Sequence, residues 1–141
     1  DEEAVLVCSP RLVPEGKITC GEWLATQKLI YDDTPHPGAD FPSWDEVLQT
    51  VNAPEALESG LHINSTSAVI LSALSGRGVA IVRYALVKKL IETGQLAQLQ
   101  PDYRWPLKWS YYLVTPQQQV MRSEVNIFHD WLLQDVLSES K

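Results

Sequence analysis

NSTSAVILSALSGRGVAIV, residues 64–82, is the stretch that decides how this chain folds. Four small polar residues open it, and Ala68, Val69, Ile70, Leu71, Ala73 and Leu74 follow. Gly76 and Gly78 then stop the run before it resumes at residues 79–82. The pattern predicts a capped helix, a glycine stop and a buried strand. A helix start rich in hydroxyls and free backbone N–H groups is a natural seat for an anionic or polar small molecule. Nothing in the block pairs a nucleophile with a base, so the expectation is a ligand-sensing domain and not an enzyme.

The flanks extend the same alternation. AVLVC at residues 4–8 reads as a buried strand ended by Ser9-Pro10, and residues 21–27 as a short helix or single turn. KLIY at 28–31 reads as the next strand, running into the turn-rich DDTPHPG. Ser43 and Glu46 have capping-box spacing ahead of Trp44, Val47, Leu48 and Val51. A brief strand at 61–63 precedes the opening block, and a helix at 84–93 closes at Gly94. Residues 96–99 read as extended, 101–106 as loop, and WSYYLVT at 109–115 as the strongest strand. The last helix spans about 123–138, with Val125, Phe128, Leu132 and Val136 in a stripe flanked by Ile127, Trp131 and Leu133. This order predicts an α/β fold, a Rossmann-like or flavodoxin-like open sheet with helices on both faces. Such sheets bind ligands beyond the carboxyl ends of their strands. Two crevice segments follow: Tyr31, Asp32 and Asp33 after the second strand, and Asn64, Ser65, Thr66 and Ser67 after the third.

Composition narrows the classes. The chain has 141 residues, 45% of them hydrophobic and 21% charged, which suits one domain with a real core. No apolar run approaches the ~20 residues that span a bilayer, so no membrane partner is expected. The N-terminus has neither a signal-peptide core nor an initiating Met, so the chain is expected to begin inside something larger or to have been cut. The net charge is −7, with 12 acidic and 3 basic residues up to position 75, against 6 basic and 2 acidic over 76–111. An acidic chain is a poor partner for nucleic acid. Cys8 and Cys20 lack CxxC spacing, and His36, His62 and His129 lack ligand spacing, so reduced thiols and no metal are expected. No cofactor is expected either: Gly76 and Gly78 follow a helix and not a strand, unlike a dinucleotide fingerprint. GxSxG and GxxxxGK[ST] are absent.

Six segments in order resemble the effector-binding domain of LysR-type transcriptional regulators. Val7-Cys8-Ser9-Pro10 is similar to that family's VCSP, and Trp23-Leu24-Ala25 with Trp44 also fits. The segment from Ala73 to Ala80 resembles its AlaGxGvA element. Gly94-Gln95-Leu96 matches GxL, Tyr112-Leu113-Val114 matches Y-L-V, and Phe128-His129-Asp130-Trp131-Leu132 matches FxdWL. The resemblance implies one subdomain of a periplasmic-binding-protein-like effector domain. Residues 4–112 would form the second subdomain, and 113–141 a crossover strand and a C-terminal helix belonging to the first. It further implies a small-molecule effector held by Ser65, Thr66, Asn64, Asp32 and Tyr31, and no catalytic residue. If Asp32 faces the ligand, an amine or hydroxyl on the effector is favoured over a simple dicarboxylate. It also implies a cytoplasmic homo-oligomer, dimer or tetramer. Promoter DNA would be reached only through a winged helix-turn-helix outside this sequence. The last helix would swap into, or pack against, a second copy in place of the first subdomain. The alternative is a solute-binding lobe of a transporter, which shares the bilobal architecture.

Overall fold

The computed structural model describes residues 2–15, 21–34, 41–53, 60–108, 112–115 and 122–139. The chain divides into two compact units, Asp1–Ser110 and Tyr111–Lys141.

The first unit is built on a mixed open sheet. Its strands are β1 (Glu2–Cys8), β2 (Leu29–Asp32), β3 (Leu61–Ile63), β4 (Val79–Arg83), β5 (Ala97–Leu99) and β6 (Trp105–Leu107). The order is β3-β2-β4-β1-β5, with β6 also beside β1. Strand β2 runs parallel to both β3 and β4, Ile30 lying opposite Leu61 on one side and Ala80 on the other. Strand β1 is antiparallel to β4, with Ala4 opposite Arg83 and Val7 opposite Ala80. Its far edge is shared: β5 pairs with residues 6–8 and β6 with residues 2–4.

Side-chain alternation along these strands creates two cores. Ala4, Leu6, Cys8, Leu29, Val79 and Ile81 face one way, with α1 (Gly21–Ala25) and α2 (Trp44–Thr50) bringing Leu24, Trp44, Val47 and Leu48. Val5, Val7, Ile30, Ala80 and Val82 face the other way, against Val69 and Ala73 of α3 (Thr66–Leu74) and Val87 of α4 (Tyr84–Glu92). Each fully buried Val or Leu contributes roughly 1.5–3 kcal/mol. The helices therefore lie on both faces, as the alternation of elements implied.

Local signals account for the element ends. Ser43 Oγ accepts from the Glu46 N–H at 3.2 Å, and Glu46 Oε2 accepts from the Ser43 N–H at 2.7 Å. That capping box starts α2 and, through the backbone N–H of Ser43 first, holds the Glu46 carboxyl below its ordinary range. Helix α3 ends in a Schellman arrangement: Gly76 takes φ 74°, its N–H reaches the Ala73 carbonyl at 3.0 Å, and Arg77 N–H reaches the Ser72 carbonyl at 3.0 Å. Gly78 serves a different need. A Cβ there would lie 2.1 Å from the Lys28 carbonyl oxygen, the acceptor of the Val79 N–H at 2.9 Å. Only glycine lets β4 start against β2. The start of α4 is capped from strand β1, where the buried Glu2 accepts from the Ala85 N–H through Oε1 at 3.4 Å.

Two expectations need correction. Residues 105–107, expected to fall in or beside a loop, form β6; Pro106 is tolerated because it sits on an edge strand whose outer side needs no donor. The expected strand at 109–115 is not formed where it is described. Residues 109–111 lie outside the described residues, and 112–115 have no regular structure, with Tyr112 and Val114 82% and 86% exposed. Strand propensity reflects a fit to a paired, half-buried surface, and no described strand pairs with this segment. Cys20 and His36 also lie outside the described residues.

The second unit carries α5 (Ser123–Glu139). Val125, Ile127, Phe128, Trp131, Leu133 and Val136 are all exposed on it, and the Phe128 and Trp131 rings sit 5.8 Å apart.

Two outcomes are expected. Gly78→Ala loses about 1–3 kcal/mol of unfolding free energy in urea titration, and an unchanged midpoint would refute the close approach. Burial raises the Cys8 thiol to about 11. In a Cys20→Ser variant, Ellman's reagent should therefore find no native thiol near pH 8 and one after denaturation. Because this folded value lies above the ordinary 9.0, its stabilising contribution is complete below pH 9 and is lost as pH rises toward 11.

Candidate ligand-binding site

Because β2, β3 and β4 are parallel, their carboxyl ends share one edge of the sheet. That edge presents Asp32 from β2, residues 64–66 after β3, and Arg83 and Tyr84 where β4 passes into α4. Antiparallel β1 begins there, adding Glu2 and Glu3.

The two segments singled out in the sequence meet. Thr66 Oγ1 donates to Asp32 Oδ2 at 2.7 Å across 34 residues, and the Thr34 N–H donates to Asp32 Oδ1 at 3.0 Å. The Asp33 N–H reaches the Ile63 carbonyl at 2.8 Å, continuing the ladder beyond the strand ends. Ser65 stands at the N-cap of α3 in extended conformation, but its side chain makes no capping bond and is exposed. Its carbonyl accepts from the Val69 N–H at 2.9 Å. Asn64 is exposed as well. Thr66, expected as a cap and a ligand contact, is thus a pin between α3 and β2, whereas Ser65 leaves its hydroxyl at the helix start.

Tyr31 is half-buried and fixed by two rings. His62 stacks on it at 4.4 Å with planes 12° apart, and Trp44 meets it edge-on at 6.3 Å. The Trp44 indole N–H donates to the Ile30 carbonyl at 2.9 Å, tying α2 to β2. His62 Nδ1 lies 3.1 Å from both carboxylate oxygens of Asp33.

Sequence reasoning missed Glu2, Arg83, Tyr84 and Arg104 on this edge. Arg104 pairs with Glu3 and lies 5.1 Å over the Tyr84 ring. Arg83 was within reach, because the crevice rule that pointed to Asp32 applies equally to the end of β4. Glu2 and Arg104 depend on β1 running antiparallel, which no local pattern announces. Among the described residues no group of three or more His, Cys, Asp or Glu is placed to hold a metal. No described helix is long and apolar enough to cross a membrane.

The sequence matches the family model of the LysR substrate binding domain over residues 1–136. The chain belongs to that family. No curated protein matches it in sequence. Among solved structures, the effector domain of the transcriptional regulator AmpR of Pseudomonas aeruginosa superposes over 99% of this chain with a TM-score of 0.70 at 17% identity. The regulatory domain of CrgA, a LysR-type regulator from Neisseria meningitidis, does so over 95% with a TM-score of 0.57 at 16% identity. The regulatory domain of AphB in Vibrio vulnificus covers 74% with a TM-score of 0.51 at 20% identity. At these identities the likeness shows the fold, a periplasmic-binding-protein-like α/β sheet. The chain spans 63%, 65% and 51% of those three chains. A LysR substrate-binding domain, and not a transporter lobe, is therefore the family of this sequence.

Replacing Thr66 with Val should cost about 1–2 kcal/mol, since a half-buried carboxylate then loses a donor. Chemical denaturation of Thr66→Val and Thr66→Ser checks this: Ser should recover most of the loss, and equal losses would show that the hydroxyl bond is not the cause.

Proposed function

We propose that this chain is the effector-sensing part of a LysR-type bacterial transcription regulator, acting in the cytoplasm and without catalytic chemistry. The small molecule binds at the carboxyl edge of β2, β3 and β4, in contact with Ser65, Thr66 and Asp32, with Asn64 and Tyr31 at its border. The observation that carries this reading is the 2.7 Å bond between Thr66 and Asp32, which joins the two loops expected to hold a ligand in this fold. The exposed, uncapping Ser65 hydroxyl supports it, because the first turn of α3 keeps donors for a ligand. Residues 4–112 act as one subdomain of a two-lobed sensor, and 113–141 contribute to the other lobe. Effector binding shifts the population between arrangements of the lobes, by as much as its affinity differs between them. DNA is contacted by a winged helix-turn-helix elsewhere in the intact protein. The exposed apolar residues of α5 are covered in a homo-oligomer, a dimer or tetramer.

Calorimetry of the intact regulator against a library of small metabolites tests the sensing role. A ligand should bind, and Ser65→Ala with Asp32→Asn should weaken it by about tenfold, equivalent to 1.4 kcal/mol. Binding to no member, or turnover of any, would overturn the reading. Light scattering of this 141-residue chain should give a dimer or larger, and a strict monomer at high concentration would remove the oligomer from it.

A further inference from the structure

The end of β2 is gripped on both faces of the sheet. Side chains alternate along it, so Asp32 follows Ile30 toward the α3 side, and Asp33 follows Tyr31 toward the α2 side. Thr66 holds Asp32 on the first side. On the second, His62 of β3 stands opposite Tyr31 in the parallel register. Its ring stacks on Tyr31, and its Nδ1 lies 3.1 Å from each carboxylate oxygen of Asp33. A carboxylate only accepts, so the imidazole donates from Nδ1 in either of its charge states. Gly60 also lies against the Tyr31 ring, where an added Cβ would come within 2.1 Å of Cε2.

We propose that His62 is a positioning residue of this rim. By fixing Tyr31 and Asp33 it holds the terminal backbone of β2 where Asp32 can reach Thr66. It thereby sets the geometry an effector meets, without touching the effector. That consequence rests on the reading that the carboxyl edge of β2–β4 receives the effector; the grip of His62 on β2 stands apart from it.

Net stability is not what this pair supplies. The His62 and Asp33 side chains are 60% and 50% exposed, and a pair so open to water adds little to folding. What it removes is freedom. One imidazole holds both ends of a three-residue span, and Asp32 is the middle residue. Trp44 and Gly60 leave the Tyr31 ring no easy alternative place. With residues 31 and 33 fixed, the backbone at 32 has few directions left. Two amides report that backbone: Asp33 N–H on the Ile63 carbonyl at 2.8 Å, and Thr34 N–H on Asp32 Oδ1 at 3.0 Å. A carboxylate left mobile would have to be ordered when a ligand arrives, at a cost in affinity. His62 and Thr66, on opposite faces, therefore act on one short segment of chain.

The test is hydrogen exchange of the intact protein, read at single residues by mass spectrometry with no ligand added. His62→Ala should speed exchange of the Asp33 and Thr34 amides by about twofold to fivefold, with the urea midpoint and the amides of β1 nearly unchanged. His62→Asn, which keeps a donor toward Asp33, should recover most of that protection. His62→Phe, which keeps only a ring, should not. In a Thr66→Val background, His62→Ala should add little, because both side chains hold the same backbone. Unchanged exchange in His62→Ala would overturn the assignment, and so would equal acceleration in the two backgrounds. Recovery by Phe and not by Asn would overturn it as well, and acceleration shared by the β1 amides would show a general loss of stability in its place. Any of these failures leaves the effector reading standing, because that reading is tested separately by the metabolite library.

Discussion

Strand β1 is buried on both faces and paired on both edges, and the first unit is organised around it. Residues 4–8 are at most 1% exposed. Ala4, Leu6 and Cys8 feed one core, and Val5 and Val7 the other. Neither layer of helices can therefore pack without it. Its antiparallel direction also brings Glu2 and Glu3 to the edge where the parallel strands end, so one strand both joins the cores and completes that rim. The carboxylate of Glu2 is tolerated in its buried position because it caps α4, supplying an acceptor to a helix start that Arg83 leaves uncapped by its side chain.

The rim itself is made of side chains that hold one another. Asp32 is bonded to Thr66, Asp33 to His62, Tyr31 to His62 and Trp44 by ring contacts, and Trp44 to the backbone of β2. Polar groups prearranged in this way do not need to be ordered when a ligand arrives, so less binding energy goes into organising the protein. Aromatic rings braced by α2 and carboxylates braced by α3 and β3 lie next to each other because β2 sits between the two helix layers.

Much of this fold was legible because its signals are local. The Ser43–Glu46 box, the glycines after α3 and the apolar runs of β1 and β4 each state their structure within a few residues. Thr66 and Asp32 were legible as neighbours only through the rule that ligands gather beyond parallel strand ends. Their mutual bond was not, since nothing in either segment specifies the rotamers that bring them to 2.7 Å. Strand β6 was hidden by Pro106, which reads as a loop until an edge position is known. The segment at 112–115 misled in the opposite sense: its aromatic and β-branched residues describe a strand, but a strand requires an edge to pair with. Ser65 shows how a capping residue type can stand at the right position and leave its hydroxyl uncommitted.

The pairing of β1 also sets an order of events during synthesis. Within this unit it is made before the strands it pairs with, which lie at residues 80–83, 97–99 and 105–107. Strands β2, β3 and β4, with α2 and α3 between them, close shorter loops and can assemble before it docks, because loop closure costs more entropy as the loop lengthens. The apolar segment at residues 4–8 thus waits with two open edges until most of the unit has been made, and both cores stay unsealed until it inserts. High contact order of this kind slows folding and prolongs exposure of a sticky strand. The same residues that make the native sheet cohesive are those that govern how safely the chain reaches it.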